Sequence, residues 1–329
     1  MKVRPFDWRD LPALHRVRDQ SIYLHSALVL TRGPLLIPGA LLSTFAPGMG
    51  IYTSISYNDR SPLAQLFGQI ILPSGAQCAQ LTFLAPSAAL GSENLQALLE
   101  HLSSQAVEKG AFRLLADVDE HSAAFEMLRQ AGFAIYASQR IWQLKNGPLG
   151  EDRPIAWQVA TDRDLIAVRS LYNNLIPGLV QQVEPFPVER LRGLVYRQEG
   201  ELLAYLELRQ GHRGIWAQPF IHPDAEGVVE DLIALLPKLP QRISRPIYLC
   251  VRSYQSWLEQ ALEHVGAEPG PRQAMMVKHL AIPQKALRSY ALPAIEGGRP
   301  EVTAPISRVR ASQAGAEKAA TSQTEKSFL

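Results

Sequence analysis

The pattern of Phe112–Leu144 returns 134 residues later in Ile247–Leu280, with Gly266 under Gly132, Leu262 under Leu128 and Ser256 under Ser122. Each stretch opens on a short apolar run, continues at helical period, stops at a glycine and closes on alternating residues. That order reads as strand, helix, glycine stop, strand. Upstream, Val229, Leu232, Ile233 and Leu236 lie 134 residues after Leu95, Leu98, Leu99 and Leu102. Coincidence can match one amphipathic helix, but hardly a strand, two helices and a closing strand in register. The chain reads as one α/β unit written twice.

The remaining elements follow from local chemistry. Val3–Asp10 reads as a short strand and a turn, with Asp10 as N-cap of a helix from Leu11. Ser26–Ile51 is apolar but broken by Pro34, Pro38 and Pro47, which predicts a folded-over segment. Ile51–Tyr57 and Leu63–Leu72 alternate around turn residues Asn58–Pro62, as antiparallel strands do. Leu81–Leu84 is a short apolar strand, and a helix runs from about Ser92 to Glu108. The second half restarts at Trp157–Leu171, where Asp164 matches Asp10 at a shift of 154. The fall from 154 to 134 corresponds to about twenty residues absent after the second half's first helix, much of the Ser26–Ile51 segment.

Asn146–Pro154 is turn-rich and polar, and marks the boundary between units at 1–146 and 154–282. Residues 283–329 are rich in Ala, Ser, Gln, Pro and Lys with no sustained period, the composition of a disordered tail. Each unit is long enough for its own core. A net charge of +2 over 329 residues gives no footprint for nucleic acid or anionic membrane. No segment reaches the ~18 uniformly apolar residues of a membrane span, and the amino terminus has no signal-peptide core. Cys78 and Cys250, the only cysteines, read as reduced thiols, so a cytoplasmic location is expected.

RPFDWRDLPAL near the start and AAFEMLRQAGF ending at Gly132–Phe133, echoed by TDRDLIAV and WLEQALEHVGA, resemble the GCN5-related N-acetyltransferases (GNAT). The resemblance covers residues 1–282 as two tandem, degenerate copies. It implies a mixed central sheet flanked by helices, and transfer of an acetyl or acyl group from acyl-CoA to a small-molecule or peptide amine. In that family acetyl-CoA lies against the fourth strand, and backbone N–H groups at the next helix hold its pyrophosphate. In the first copy this places the cofactor at Leu84, Ala85, Ala89, Leu90, Gly91, Ser92, Glu93 and Asn94. The family's basic residue and two glycines fall on Ala89, Ser92 and Asn94 instead. In the second copy Asp224 and Glu226 stand where the pyrophosphate would lie, and like charge there is costly.

Amine acylation needs a base and an acid. The family's tyrosine acid falls on Leu128 and Leu262, neither of which carries a proton to give. Asp117, Asp119, Glu120 and His121 form an acidic cluster beside a histidine; Asp119 and His121 are the candidate base, or select a cationic amine. The same residues also suit a solvated strand end with a helix cap. Tyr136 and Tyr52 are replacement acids, and Glu207 and His222 are the second copy's candidates. The eight histidines show no metal-site spacing, so no metal is expected. Two functions remain open: acyl transfer, with the first copy the active one, or an inactive tandem module that binds a ligand or a protein.

Overall fold

The computed structural model describes residues 2–58, 61–91, 93–144, 156–186, 190–225, 227–239 and 245–281. The proposed boundary at Asn146–Pro154 and the tail from residue 283 fall outside them, and residues 1–283 form one compact unit.

The first half contains β1 (Lys2–Pro5), α1 (Leu11–Val17), β2 (Ile22–Tyr23), α2 (Ser26–Arg32), α3 (Leu36–Phe45), β3 (Ile51–Asn58), β4 (Ser61–Ile71), β5 (Cys78–Ala85), α4 (Glu93–Glu108), β6 (Arg113–Asp119), α5 (Ala123–Gln130) and β7 (Ala134–Leu144). The second contains β8 (Trp157–Val159), α6 (Leu165–Leu175), α7 (Gly178–Val183), β9 (Gly193–Gln198), β10 (Glu201–Gln210), β11 (Ile215–Ile221), α8 (Val228–Leu235), β12 (Ile247–Arg252), α9 (Leu258–His264) and β13 (Glu268–His279). Element for element, β1, α1, β3, β4, β5, α4, β6, α5 and β7 correspond to β8, α6, β9, β10, β11, α8, β12, α9 and β13. Both helix-ending glycines, Gly132 and Gly266, have positive φ, a backbone state a side chain disfavours.

All the described strands join one mixed sheet in the order β1-β3-β4-β5-β6-β13-β7-β12-β11-β10-β9-β8, with β2 paired to β5. The halves exchange their last strands. β13 lies between β6 and β7, antiparallel to both, and β7 passes on to pair with β12. Burial follows the exchange. Ala274 and Met276 of β13 sit in the first half's core beside Leu98 and Leu128. Trp142 and Leu144 of β7 sit in the second half's core beside Leu232 and Leu262.

The folded-over Ser26–Ile51 segment is the helix pair α2 and α3. α2 leaves its own half and docks on the β10–β11 hairpin, where the Arg213 N–H donates to the Thr31 carbonyl at 2.9 Å. That approach requires glycine: a Cβ at Gly214 would stand 2.7 Å from the Leu30 oxygen. Among the described residues no single helix is long and apolar enough to cross a membrane.

The turn before the first helix differs from expectation. The Asp10 carboxylate makes no forward cap on α1. It reaches back to the Asp7 N–H at 2.9 Å and takes two hydrogen bonds from Arg4 at 2.7 Å. Asp164 repeats the arrangement with the Thr161 N–H at 2.8 Å and Arg197 at 2.6 Å. An acidic residue three positions after a capping residue closes the turn reciprocally, which a forward cap alone does not.

Candidate functional site

Two parallel strand pairs open part-way along their length. β5 and β6 are paired from Cys78–Arg113 to Gln80–Leu115, and β11 and β12 from Ile215–Ile247 to Ala217–Leu249. In the first half the chain itself fills the opening. Ile22 and Tyr23 of β2 pair with Leu84 and Phe83 of β5. The Leu24 N–H donates to the Thr82 carbonyl at 2.8 Å, and the Leu24 carbonyl accepts from the Asp117 N–H at 2.9 Å. Gln80 Nε2 adds a third bond to Leu24, also at 2.9 Å. The edge of β5 that faces the opening is therefore hydrogen-bonded to residues 22–24. No described strand spans the matching opening in the second half.

The residues proposed for the cofactor surround the end of β5. Leu84, Ala85 and Leu90 are buried in the core, Ala89 ends a short 3-10 turn, and Gly91 is exposed. Ser92 lies outside the described residues. Glu93 opens α4, and the buried Asn94 takes a 3.5 Å hydrogen bond from Ser56 Oγ. Residues 84–94 contain no Lys or Arg. In the second half, Gly227 precedes α8, whose first turn carries Glu230 and Asp231. Asp224 beside it is exposed, 3.7 Å from His222 Nδ1.

Asp119 and His121 sit at the far end of β6. Asp119 Oδ1 accepts the His121 N–H at 2.9 Å, while Ser122 bonds the Asp119 carbonyl and caps α5. This geometry builds a turn, and neither side chain lines the large cavity described below. Tyr136 is placed differently. It is buried in β7, and its hydroxyl donates to the Glu184 carboxylate. Burial first, and the Glu184 charge second, hold its pKa well above the usual value. Tyr52 packs against the first core.

Glu184 belongs to a cavity of about 1390 Å³ lined by residues of both halves. α2 supplies one wall. The rings of Tyr172, Phe186, Tyr205 and Phe220 form another, with centroids 5.2–5.9 Å apart. Arg252, at the end of β12, donates through Nη2 to Glu184 at 3.0 and 3.3 Å. Tyr172 donates to the Glu184 main-chain carbonyl. Glu207 is bound to Arg209 at 2.9 Å. Asp117 faces the cavity from β6 and accepts the Ser26 N–H at 3.0 Å. Burial pushes its pKa up to about 6, against that hydrogen bond. The half-buried His25 is driven down to about 3 by desolvation of its ring and then by Arg209. Among the described residues, Arg252 Nε and Nη1 and His25 Nδ1 are buried with no hydrogen-bond partner. Such orphaned polar atoms are costly in a dry interior.

Sequence reasoning placed Tyr136, Glu207 and Asp117 among its candidates but missed Glu184, Arg252, Tyr172 and His25. These residues come from separate elements of both halves, so no local motif joins them. The one local hint is a charge, Arg252, closing the apolar run of β12.

No family model matches the sequence, and no curated protein matches it. Among solved structures the chain is similar to a GCN5-related N-acetyltransferase from Sphaerobacter thermophilus, at 13% identity and a TM-score of 0.51, over 85% of this chain and 95% of that one. A tandem GNAT protein from the clavulanic acid biosynthesis pathway matches at 16% identity and TM-score 0.48, over 85% and 98%. A GNAT-family acetyltransferase from Colwellia psychrerythraea matches at 16% and 0.45, over 85% and 100%. With its order of strands and helices, this chain has the fold of the GCN5-related N-acetyltransferases.

Proposed function

We propose that the chain is a ligand-binding module on a GNAT fold, two copies at 1–146 and 154–282 holding a small molecule in the cavity between them. One observation carries this reading: residues 22–24 occupy the β5 edge against which the resemblance would lay acetyl-CoA. The residues present also do not fit the cofactor's pyrophosphate. The first copy's loop offers no cation, and the second offers Asp224, Glu230 and Asp231 at a helix start, where like charge repels. Of the proposed base, the Asp119 carboxylate accepts a main-chain N–H in a turn, and neither it nor His121 lines the cavity. The two free cysteines, Cys78 and Cys250, accord with a cytoplasmic site of action.

The test is calorimetric titration of the full chain with acetyl-CoA and CoA, with release of free CoA thiol followed across a panel of amines. Neither binding nor thiol release is expected. Saturable binding of acetyl-CoA overturns the reading.

A second reading rests on the opening between β11 and β12, which no described strand spans. It moves acyl transfer from the first copy to the second, with an amine acceptor in the cavity and Tyr136 or Tyr172 near the reacting groups. Amine-dependent thiol release that survives substitution of Asp119 and His121 would select it.

A further inference from the structure

Two groups of opposite sign that line the cavity are incompletely satisfied, Arg252 in its hydrogen bonds and Asp117 in its charge. Arg252 has a side chain only 7% exposed, and it spends one nitrogen on Glu184. Its Nε and Nη1 donors are buried and unpartnered among the described residues. A guanidinium cannot shed its charge to relieve this, so an oxygen acceptor is what the site lacks. Asp117 presents the converse. Its carboxyl is buried and faces the same cavity, and its hydrogen bonds come from neutral groups, the Ser26 main chain and the Gln80 side chain. Among the described residues no Lys, Arg or His forms an ion pair with it, although Arg252 is near enough to act on it through space. A buried carboxylate without a counter-ion calls for a cation.

We propose that the cavity binds an α-amino acid with an apolar or aromatic side chain, its carboxylate on Arg252 and its ammonium on Asp117. This rests on the ligand-binding reading above and names the ligand class. A zwitterion answers both demands without adding net charge to a buried site, whereas a simple acid or amine answers one and leaves the other. The apolar part of the ligand falls to the ring wall of Tyr172, Phe186, Tyr205 and Phe220, where offset aromatic packing is available. The volume of about 1390 Å³ exceeds that of a single amino acid, so selectivity is expected at the charged ends rather than in side-chain size.

The experiment is calorimetry on the full chain with three probes of one carbon frame: L-phenylalanine, 3-phenylpropionate, which lacks the amine, and phenethylamine, which lacks the carboxylate. L-Phenylalanine is expected to bind at least about tenfold more tightly than either relative, the usual scale for one charged hydrogen bond. Asp117→Asn preserves shape and is expected to weaken L-phenylalanine about tenfold while leaving 3-phenylpropionate unchanged, a contrast a merely structural residue would not produce. Arg252→Met leaves Glu184 unpaired and risks misfolding, so it is paired with Glu184→Gln; the double variant should lose 3-phenylpropionate and keep phenethylamine. Equal affinity for all three probes, or no binding of any at millimolar concentration, overturns the amino-acid assignment. Acetyl-CoA binding in the separate titration overturns the ligand-binding reading itself, so the two failures are distinguishable.

Discussion

Gln139 Nε2 donates to Gln273 Oε1 at 2.9 Å, and the two residues are 134 positions apart. That separation is the shift that superimposes the halves, and the pair stands directly opposite in the β7–β13 register. Residues at the same place in the repeated sequence pattern therefore meet across the β7–β13 pair. Ser26 Oγ donates to Gln273 at 2.9 Å and Cys250 Sγ to Gln139 at 3.2 Å, tying α2 and β12 to this glutamine pair.

Gln139→Leu is expected to destabilise the chain by roughly 1–3 kcal/mol, because it leaves the half-buried Gln273 amide and the buried Cys250 thiol short of partners. Replacing both glutamines with leucine should cost less than the sum of the two single changes, since the second removes the group that the first left unsatisfied. Urea unfolding of the four proteins gives the coupling directly; strict additivity would contradict it.

Trp142 belongs to the first half by sequence and to the second half's core by packing, where it is fully buried. Trp142→Ala is expected to cost about 3–5 kcal/mol, as large-to-small changes in a packed core do. Because the exchanged strands share one sheet, the loss should lower a single melting transition followed by circular dichroism. Two separated transitions would show that the halves unfold independently.

Asp117 and His25 should bend the pH dependence of stability in opposite directions. The carboxyl, ordinarily near 3.8 and about 6 when folded, keeps its proton longer in the folded state, so its contribution is lost as pH rises through that window. The imidazole, ordinarily 6.5 and about 3 when folded, gives up its proton sooner in the folded state, so its contribution is lost as pH falls. Between pH 4 and 6 each slope is about 1.4 kcal/mol per pH unit, with opposite sign. Relative to the unsubstituted chain, Asp117→Asn should make stability rise more steeply with pH, and His25→Gln should make it fall. Urea midpoints at pH 4, 5 and 6 decide this, and matching slopes for both variants would refute it.

Residues 22–24 are short and near the amino terminus, yet their main chain is bonded on two sides. Hydrogen exchange should show the Leu24 and Asp117 amides protected to nearly the level of the core strand amides of β5. Exchange as fast as that of an exposed loop would mean the segment lifts out readily and uncovers the strand edge.

The sequence carried the fold further than the site. Helix α4 and its twin α8 announce themselves through leucines at a fixed shift, and the glycines at 132 and 266 stop their helices for a backbone reason visible in one letter. The strand exchange left no such trace, because Trp142 and Met276 look equally apolar whichever core receives them; hydrophobic pattern specifies burial, not address. β2 was missed for a related reason, since Ile22–Tyr23 is too short to alternate and pairs only through its backbone. The cavity cluster was legible in fragments. Tyr136 was singled out for its hydroxyl, while its partner Glu184 follows α7 in a stretch whose sequence gave no reason to look there.

The exchange also fixes an order of events during synthesis. The slot between β6 and β7 is closed by β13, whose last residue is His279. When only the first half has been made, Arg113–Asp119 therefore has an unpaired edge, and Ala134–Leu144, whose neighbours β12 and β13 both belong to the second half, has no strand partner at all. Unpaired edges recruit other strands, and here they stay open until nearly all of the second half has been made. Completion of the first half's sheet thus waits on β13, the last of the described strands, and the interval before it arrives is when this chain is most exposed to mispairing with a neighbour.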